Sequence, residues 1–461
     1  MSVTATTDDR PVLAFGERRY SVAQLEGLAD GMASTLAKRG VRSGQRVALM
    51  SSNRVEFVVA VRAIWRLGAA VVLLSPAWKR AEVDHALALT DPAHGVGDHP
   101  VLAEAMPMLH LDESLAPGRA TVAPLDPRAD ALLVFSSGTT GMPKAVRHTH
   151  ASFTAAIRHW QAALQMTSAD RMQIVTPASH ILGLLNIMTA LRSGAWLRLH
   201  QRFDVDAMLH HVEADRVTIE MTVAPIAFAL ASHPKLESFD LSSLRYIMWC
   251  ATPVAPGVAE TITRRTGVNW LTAYGTSELP VIACSPLDNS RLDTVGRPVP
   301  GVRVRIGEQD EIQARADSLM AGYVPACANT DAFCDGWFRT GDVGSIDNGW
   351  LRITDRSKEM IKVRGFQVAP AEIEAVLHGH PAVDDCAVFG AADPIDGERI
   401  VAAVATRESV TAEQVTGWVS DRLASYKRLA DVVFVSEIPR LPSGKVLRRV
   451  LKERYGCPSD H

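Results

Sequence analysis

The sequence predicts an α/β fold in two parts: a large N-terminal domain of α/β layers with β-sheets, and a small C-terminal α+β domain. The chain has 461 residues, more than one core usually holds. In its N-terminal part, apolar strand-like segments alternate with helix-like ones, which predicts parallel strands covered by helices. The last part of the chain changes to a few helices beside several strands, as expected for a separate small domain.

The first strand–helix–strand unit is predicted near the start of the chain. Residues 47–50 are typical of a short buried strand, and Asn53 can cap a helix that runs to about Leu67. Gly68 can end that helix, because glycine accepts the left-handed conformation common at helix C-termini. Residues 70–74 then supply the second strand.

The same pattern returns later in the large domain. Residues 246–250 and 270–274 are strand-like, and residues 258–265 between them are helix-like. Gly267 breaks the chain between this helix and the second strand. We therefore expect a second unit of the same type.

A polar run at residues 354–359 is the predicted joint between the two domains, which divides the chain into 1–356 and 357–461. The second part is predicted to combine helices with a small sheet. The helices are expected at 370–378 and 412–423, and the strands at 383–389, 400–405 and 432–435.

The composition is that of a globular protein with little excess charge. Hydrophobic residues make up 47% of the chain, charged residues 21%, and the net charge is −3. This balance gives no electrostatic reason to bind nucleic acid or an anionic membrane. The apolar runs are too short to span a bilayer.

The cysteines and the N-terminal residues bear on the cellular compartment. Residues 1–10 are polar and lack the basic and apolar segments of a secretory signal. The six cysteines form no C-x-x-C pair and have no histidine pair nearby at zinc spacing. We interpret them as reduced thiols and expect a cytoplasmic protein.

The most informative segment joins an apolar strand at 132–135 to a loop at 136–144. Gly138 and Gly141 allow backbone N–H groups to wrap around a phosphate, and Lys144 adds positive charge. The hydroxyl donors of the loop are Ser136, Ser137, Thr139 and Thr140. The spacing differs from the nucleotide-hydrolase pattern G-x-x-x-x-G-K-S/T. Taken alone, the loop suits a polyphosphate or is a solvated turn.

Five further motifs follow in order along the chain. They are Pro177-x-x-His180-x-x-Gly183, Tyr274-Gly-Thr-Ser-Glu278, Gly336-Trp-Phe-Arg-Thr-Gly-Asp342, Asp355-Arg-Ser-Lys-Glu-Met-Ile-Lys-Val-Arg-Gly365 and Pro442-Ser-Gly-Lys445. With the loop, they resemble the adenylate-forming superfamily of acyl-CoA synthetases, aryl-CoA ligases, firefly-type luciferases and peptide-synthetase adenylation domains. The resemblance covers nearly the whole chain and is greatest to stand-alone carboxylate–CoA ligases.

This resemblance implies an ATP-dependent ligase that activates a carboxylic acid as its acyl-adenylate and then passes the acyl group to coenzyme A. Pyrophosphate leaves in the first step and AMP in the second. The implied cofactors are ATP, Mg²⁺ and coenzyme A. Residues 1–356 would bind ATP and the acid, and the mobile domain 357–461 would rotate between the steps.

The resemblance also assigns roles in ATP binding. Tyr274 matches the residue that stacks on adenine, and Thr276 matches the residue beside the α-phosphate. Asp342 matches the carboxylate that accepts hydrogen bonds from the ribose hydroxyls. Arg356 matches a second contact to the ribose and phosphate region.

In the first step the carboxylate of the acid must meet the α-phosphate of ATP. Both groups are anions, so the site needs cations. Glu278 is the expected protein ligand of Mg²⁺, with the hydroxyl of Thr139 beside it. Lys445 is the expected catalytic lysine, reaching from the small domain to the carboxylate and α-phosphate oxygens. Taken alone, Glu278 and Lys445 could each equally be an ordinary surface residue.

Three residues are assigned to the second step by resemblance. Lys358 matches the hinge, which must absorb a large change of φ and ψ. Gly365 matches the residue that lines the coenzyme A tunnel, where a missing side chain allows close approach. His180 matches the gate between the acid pocket and that tunnel.

The expected acid pocket is apolar, which favours a hydrophobic aryl or medium-chain acid. Its candidate residues are Ile181, Leu182, Ala224, Pro225, Phe228, Trp249, Cys250 and Val281. Trp249 and Cys250 are bulkier than the small residues often seen in the family, so we expect a pocket narrowed on that side. Residues 179–183, around His180, lack the aspartate that holds a substrate amine in peptide synthetases, which disfavours an amino-acid substrate.

Three alternatives stay open. The acyl acceptor could be a carrier-protein thiol or an amine instead of coenzyme A, and the motifs do not discriminate between these. A luciferase-like oxygenase shares the ATP motifs. A non-catalytic acyl or nucleotide sensor has no need of Lys445, so the presence of this lysine weighs against it.

Overall fold

The fold was analysed in a computed structural model. It describes residues 10–113, 116–120, 122, 124–136, 143–251, 256–356, 359–363, 366–393, 397–423, 427–441 and 444–456. Two large mixed sheets, a smaller antiparallel sheet and a C-terminal sheet organise these residues. The predicted α/β class, with a large N-terminal and a small C-terminal part, is confirmed.

The first large sheet is parallel in its centre and antiparallel at both edges. Its strands are β1 (Pro11–Phe15), β2 (Arg18–Ser21), β9 (Arg171–Ile174), β10 (Trp196–Leu199), β11 (Ile219–Thr222), β12 (Tyr246–Trp249), β13 (Trp270–Tyr274), β14 (Ala283–Cys284) and β15 (Arg297–Pro298). Their spatial order is β15-β14-β13-β12-β11-β9-β10-β1-β2.

The second large sheet contains the strand that leads into the predicted phosphate loop. Its strands are β3 (Arg46–Met50), β4 (Ala70–Leu74), β5 (His94–Gly97), β6 (Met108–His110), β7 (Asp130–Ser136), β8 (Lys144–Thr149) and β18 (Gly322–Val324). Their order is β18-β8-β7-β4-β3-β5-β6, and β7, β8 and β18 pair antiparallel.

Two smaller sheets follow in the chain. The third sheet is antiparallel and contains β16 (Val302–Ile306), β17 (Glu311–Ala316), β19 (Phe333–Cys334), β20 (Trp337–Asp347) and β21 (Trp350–Arg356). The C-terminal sheet contains β22 (Ile361–Val363), β23 (Phe366–Val368), β24 (Val383–Asp393), β25 (Gly397–Thr406) and β26 (Asp431–Phe434). The predicted division after residue 356 falls between these sheets, next to undescribed residues, and stays a prediction.

The helices arrange the two large sheets in layers. They are α1 (Val22–Lys38), α2 (Val55–Arg66), α3 (Arg80–Thr90), α4 (Pro100–Ala105), α5 (His150–Leu164), α6 (Ile181–Ser193), α7 (Val205–Asp215), α8 (Ala224–Ser232), α9 (Pro256–Thr266), α10 (Pro370–His378), α11 (Ala412–Ser420) and α12 (Arg448–Tyr455). Helices α1, α2, α5 and α6 pack in the main core between the sheets, α3 and α4 cover one outer face, and α7 to α9 cover the other. Both faces of each of the two large sheets are therefore covered by helices.

The first strand–helix–strand unit forms as predicted, except at the helix cap. Helix α2 begins at Val55 with Arg54 as its N-cap. The amide of Asn53 is used elsewhere: it donates to the Thr176 carbonyl at 2.9 Å and accepts from the Ala178 N–H at 2.7 Å. The cap prediction for Asn53 was wrong because a tertiary contact to a distant loop takes both ends of its amide.

The remaining predicted elements agree closely with the structure. Gly68 follows helix α2 with a left-handed φ of +69°. The predicted bounds of β4, β13 and α10 match those observed, and the other predicted elements differ by a few residues at their ends. None of the described helices combines the length and the apolar character that a membrane crossing requires.

Candidate active site

A cavity of about 610 Å³ opens where β7, β12 and β13 end. Ligands of open α/β sheets bind at the carboxyl ends of the strands, because the loops there are free to surround them. The residues that line the cavity are of two kinds, polar and apolar. The polar lining includes Ser136, Lys144, Thr276, Ser277, Glu278, Glu311 and Lys445, and the apolar lining includes Phe135, Trp160, Ile181, Leu182, Cys250, Ala273, Tyr274 and Phe338.

The cavity brings together many of the residues predicted from the motifs. Those that line it are Ser136, Lys144, His180, Ile181, Leu182, Cys250, Tyr274, Thr276, Glu278 and Lys445. The predictions for Ser137, Gly138, Thr139, Thr140, Gly141, Lys358 and Gly365 fall outside the described residues, and only the backbone of Arg356 is described, as the last residue of β21. Their roles stay predictions.

A tight turn after β13 presents Thr276 and Glu278 to the cavity. The Thr276 N–H donates to the Leu279 carbonyl at 3.0 Å, and the Thr276 hydroxyl accepts from the Leu279 N–H at 3.1 Å. A Cβ on Gly275 would lie 2.1 Å from the Pro280 carbonyl oxygen. This position therefore requires glycine, which explains the Tyr-Gly-Thr-Ser-Glu sequence physically.

Tyr323 contacts two of the charged residues in the polar lining, Glu278 and Lys144. Its hydroxyl donates to Glu278 Oε1 at 2.9 Å, and its ring centroid lies 5.2 Å from Lys144 Nζ. Burial, and after it the Glu278 carboxylate, raises the pKa of Tyr323, so the hydroxyl keeps its proton and acts as a donor. The motifs gave no signal for Tyr323, because antiparallel pairing of β18 with β8 brings it to the site.

We expect the Tyr323→Phe variant to need more Mg²⁺ for acid-dependent pyrophosphate release. The change keeps the ring beside Lys144 and removes the hydrogen bond that orients Glu278. A bond to a charged group contributes about 1.5–3 kcal/mol, so the half-saturating Mg²⁺ concentration should rise roughly tenfold to a hundredfold. A Tyr455→Phe variant is the control, because Tyr455 lies in helix α12 and does not line the cavity. An unchanged Mg²⁺ requirement in Tyr323→Phe would contradict the positioning role.

Glu278 is a suitable protein carboxylate for a phosphate-bound Mg²⁺. Within the described residues, no group of three or more His, Cys, Asp or Glu side chains gathers as a metal cage. Mg²⁺ bound with nucleotide phosphates uses one or two carboxylates and keeps waters, so one buried carboxylate facing the cavity is a suitable donor. The second glutamate of the cavity, Glu311, is engaged by Arg339 at 2.7 Å and by the Gly341 N–H at 3.2 Å.

Tyr274 and Asp342 form a buried pair at the edge of the cavity. The Tyr274 hydroxyl donates to Asp342 Oδ2, and Asp342 is 3% exposed. Tyr274 lines the cavity, while Asp342 lies behind it and does not. This hydrogen bond thus holds in place the ring of Tyr274, which is expected to stack on adenine. The ribose contact predicted for Asp342 stays a prediction.

His180 begins helix α6 at the apolar side of the cavity. As the N-cap residue, it accepts a hydrogen bond from the Leu182 N–H through Nδ1 at 3.4 Å. Burial lowers the pKa of His180, which favours the neutral ring at physiological pH. A Cβ on Gly183 would lie 2.2 Å from the Pro177 carbonyl oxygen. Glycine there lets the helix approach residue 177, which explains the spacing of this motif.

Lys445 of the C-terminal part reaches the same cavity as the ATP-motif residues. Its ammonium lies 3.9 Å from Glu359 Oε1, and its side chain is 28% exposed. Glu359 also binds Arg448. Lys445 thus places an ammonium group of the C-terminal part in the lining of the cavity.

Trp249 does not narrow the cavity, so that prediction was wrong. Along β12 the side chains alternate: Tyr246 and Met248 face the main core with Cys250, while Ile247 and Trp249 face the outer helices α8 and α9. The ring of Trp249 lies 5.4 Å from that of Trp270 in this outer core. Cys250 lines the cavity as predicted, as a buried thiol whose pKa is raised by burial.

Four other residues predicted for the acid pocket also lie away from the cavity lining. Val281 is buried in the main core, and Ala224 and Pro225 stand at the start of α8. The Phe228 ring contacts the His378 ring of the C-terminal part, with centroids 5.5 Å apart. Of the residues predicted for the acid pocket, only Ile181, Leu182 and Cys250 line the cavity, together with Trp160 and Ala273, which were not predicted.

The Trp249→Ala variant should lose stability without widening the range of acids used. Truncating a fully buried tryptophan leaves a cavity and costs about 3–5 kcal/mol. We expect a lower thermal unfolding midpoint, a smaller loss in Trp249→Phe, and the wild-type order of preference across an acid panel. Broader acid use by the alanine variant would contradict the placement of Trp249 outside the pocket.

The chain belongs to the family of AMP-binding enzymes. Residues 2–324 match the profile of the AMP-binding enzyme family, and residues 372–445 match that of its C-terminal domain. The predicted superfamily is thereby confirmed. The family assignment rests on both parts of the chain, since each of the two regions matches its own profile.

Several relatives of known activity match over nearly the whole chain. The 4-coumarate–CoA ligase 3 of Arabidopsis thaliana is 32% identical, over 98% of this chain and 89% of that protein. A methyl-dioxo-octahydroindenyl-propanoyl:CoA ligase of Mycobacterium tuberculosis is 33% identical over 96% of each chain. The solved O-succinylbenzoate coenzyme A synthetase of Bacillus subtilis, in complex with ATP and a magnesium ion, is 29% identical, with a TM-score of 0.88 over 97% of each chain.

Proposed function

We propose that this protein is an AMP-forming carboxylate–CoA ligase, an acid–thiol ligase that makes acyl-CoA, AMP and pyrophosphate from a hydrophobic acid, ATP and coenzyme A. The observation that carries the proposal is the meeting of Lys445 with Lys144 and Glu278 in one cavity that continues into an apolar pocket. The named activities of the relatives above support it.

In the first step, a carboxylate oxygen of the acid attacks the α-phosphorus of ATP and pyrophosphate leaves. Lys144 lies at the expected phosphate side, and Lys445 can approach the carboxylate and α-phosphate oxygens together. Fixed cations stabilise charge that gathers in the transition state. Mg²⁺, when bound at Glu278 with the hydroxyl of Thr139, neutralises phosphate charge.

In the second step, the coenzyme A thiolate attacks the acyl carbonyl and AMP leaves. We propose that residues 357–461 rotate about Lys358 between the steps, and that Gly365 lines the path of the thiol. The neutral His180 ring at the start of α6 then separates the acid pocket from that path. Arg356 and Asp342 are proposed to hold the ribose throughout.

The corrected pocket favours an aryl or alicyclic acid of modest size. Its walls are formed by Trp160, Ile181, Leu182, Cys250 and Ala273. Apolar walls discriminate weakly, about 1–3 kcal/mol per methylene, so we expect activity with several related acids. The ring systems in the names of the two curated relatives support this class of acid.

The partners proposed are small molecules: the acid, ATP and coenzyme A, with a carrier-protein thiol as the alternative acceptor and no nucleic acid. We also propose a cytoplasmic location. The described cysteines Cys250, Cys284, Cys327, Cys334 and Cys386 are free thiols, which is typical of a reducing compartment.

The direct test is pyrophosphate release with ATP and Mg²⁺ across a panel of aryl, alicyclic and fatty acids, with and without coenzyme A. We expect acid-dependent release that rises with coenzyme A and yields AMP and an acyl-CoA. Release that ignores coenzyme A would favour a carrier-protein or amine acceptor. No release with any acid would overturn the ligase proposal in favour of a sensor.

A further inference from the structure

A buried histidine behind the cavity holds the turn that presents Thr276 and Glu278. His148 lies on β8, is 0% exposed and does not itself line the cavity. Its Nε2 lies 2.7 Å from the carbonyl oxygen of Ser277, a residue that does line the cavity. A carbonyl oxygen can only accept a hydrogen bond, so Nε2 carries the hydrogen and donates. The direction of this bond therefore follows from the chemistry of the two groups.

The other contacts of the His148 ring keep it in this orientation. Its Nδ1 faces the Ser152 hydroxyl at 3.4 Å, and the Phe153 ring packs beside it, with ring centroids 6.4 Å apart. Turning the ring over by half a turn would separate both nitrogens from these partners. Because buried polar groups in native proteins are paired, the ring keeps its Nε2–H directed at the turn.

The turn is joined to the second large sheet at three successive points. The first is the bond from His148 to the Ser277 carbonyl. The second runs from the Met320 N–H to the Glu278 carbonyl at 2.8 Å, and the third from the Tyr323 hydroxyl to the Glu278 carboxylate at 2.9 Å. The turn itself follows β13 of the first large sheet. These contacts therefore tie the two sheets together at the cavity.

Strand β8 also carries Lys144, four residues before His148. Side chains alternate along a strand, so Lys144, Val146 and His148 lie on one face of β8. The bond from His148 thus sets the position of the turn relative to the strand that presents the Lys144 ammonium to the cavity. A substitution of His148 removes this bond without changing a side chain of the cavity lining.

We propose that His148 is a positioning residue, which acts through the Ser277 carbonyl to place Thr276 and Glu278 for the phosphates and Mg²⁺ of bound ATP. The proposal rests on the proposed ligase function and adds to it a residue that touches no substrate. Without the bond, the turn loses one of its three contacts with the second sheet. A displacement of about 1 Å can cost on the order of a hundredfold in rate, so the loss should be measurable.

Three substitutions of His148 separate the donor from the bulk of the side chain. His148→Gln places an amide N–H at about the reach of Nε2, and His148→Asn places it nearer the backbone, at about the reach of Nδ1. His148→Leu fills the space without a donor. We therefore expect His148→Gln to keep the bond to Ser277, and the other two variants to lose it.

The first measurement is the binding of α,β-methylene-ATP, an analogue that cannot release pyrophosphate, by titration calorimetry with and without Mg²⁺. With Mg²⁺, the dissociation constant should rise roughly tenfold or more in His148→Asn and His148→Leu, and stay within about twofold of the wild type in His148→Gln. Without Mg²⁺ the differences should shrink, because Glu278 then has no ion to bind. The half-saturating Mg²⁺ concentration for acid-dependent pyrophosphate release should follow the same order.

His94→Leu is the matched control, because His94 is a buried histidine on β5 of the same sheet and does not line the cavity. It should bind the analogue as the wild type does, even if its thermal unfolding midpoint changes.

Two outcomes overturn the inference while the ligase function stands. One is wild-type binding of the analogue with Mg²⁺ by folded His148→Asn and His148→Leu. The other is equal weakening in His148→Gln and His148→Asn, because the donor would then not matter. The comparison of these two amide variants decides the matter even if His148→Leu does not fold. If the wild type releases no pyrophosphate with any acid, the ligase function itself fails, and the inference falls with it.

Discussion

Replacing Lys445 with alanine is expected to slow acyl-adenylate formation by on the order of a hundredfold to a thousandfold. Thioester formation from a supplied acyl-adenylate should continue at the wild-type rate. The ammonium lines the cavity with Lys144 and Glu278, where the carboxylate and the α-phosphate must meet. It stabilises charge that crowds together only in the first transition state, so its removal should affect that half-reaction alone.

The two half-reactions are measured separately, as acid-dependent ATP–pyrophosphate exchange and as acyl-CoA formation from synthetic acyl-adenylate. The Lys452→Ala variant is the matched control, because Lys452 stands on α12 of the same C-terminal part, 3.7 Å from Glu398 and outside the cavity lining. It should leave both rates at the wild-type level. Equal slowing of both half-reactions by Lys445→Ala would contradict the assignment.

The Glu278→Gln variant is expected to form the acyl-adenylate more slowly by on the order of a hundredfold, a loss comparable to that expected for Lys445→Ala. The substitution keeps the shape and the Tyr323 contact while removing the charge that suits a phosphate-bound Mg²⁺. The loss should be partly recovered at high Mg²⁺ concentration, because the remaining amide oxygen is a weaker ligand. Adenylation rate as a function of Mg²⁺ concentration is the measurement.

Glu311→Gln is the natural comparison for Glu278→Gln. Both glutamates line the cavity, but the Glu311 oxygens already accept from Arg339 and from the Gly341 backbone. The Glu311 variant should therefore keep the wild-type Mg²⁺ requirement. If the Glu311 change raises the requirement and the Glu278 change does not, the metal ligand has been assigned to the wrong glutamate.

The local sequence predicted the helices and strands well, because interactions between residues close in sequence decide where they form. The apolar strand at residues 70–74 and the helix at 370–378 were predicted with the bounds observed. Sequence patterns did not predict that helices α5 and α6 pack between two sheets, since that arrangement depends on contacts between distant segments. Asn53 illustrates the same limit: its tertiary bonds override a good local capping pattern.

The motifs indicated most of the polar residues found in the cavity lining, whereas only Ile181, Leu182 and Cys250 of the predicted acid pocket line the cavity. Trp249 ends strand β12 and Cys250 follows it. Both faces of that strand are buried, so no polar alternation marks which residue meets the cavity. Tyr323 was missed because strand pairing brings it to its position, and its neighbours in sequence give no sign of that contact.

The central claim is that an acyl-adenylate lies between the acid and the thioester, and isotopic labelling of the acid tests it most directly. The acid is supplied with heavy oxygen in its carboxylate, and AMP and pyrophosphate are analysed by mass spectrometry after acyl-CoA formation. Attack of the carboxylate on the α-phosphorus, followed by thiol attack on the acyl carbon, must leave one labelled oxygen on AMP and none on pyrophosphate. Unlabelled AMP, or label in pyrophosphate or phosphate, would contradict the account.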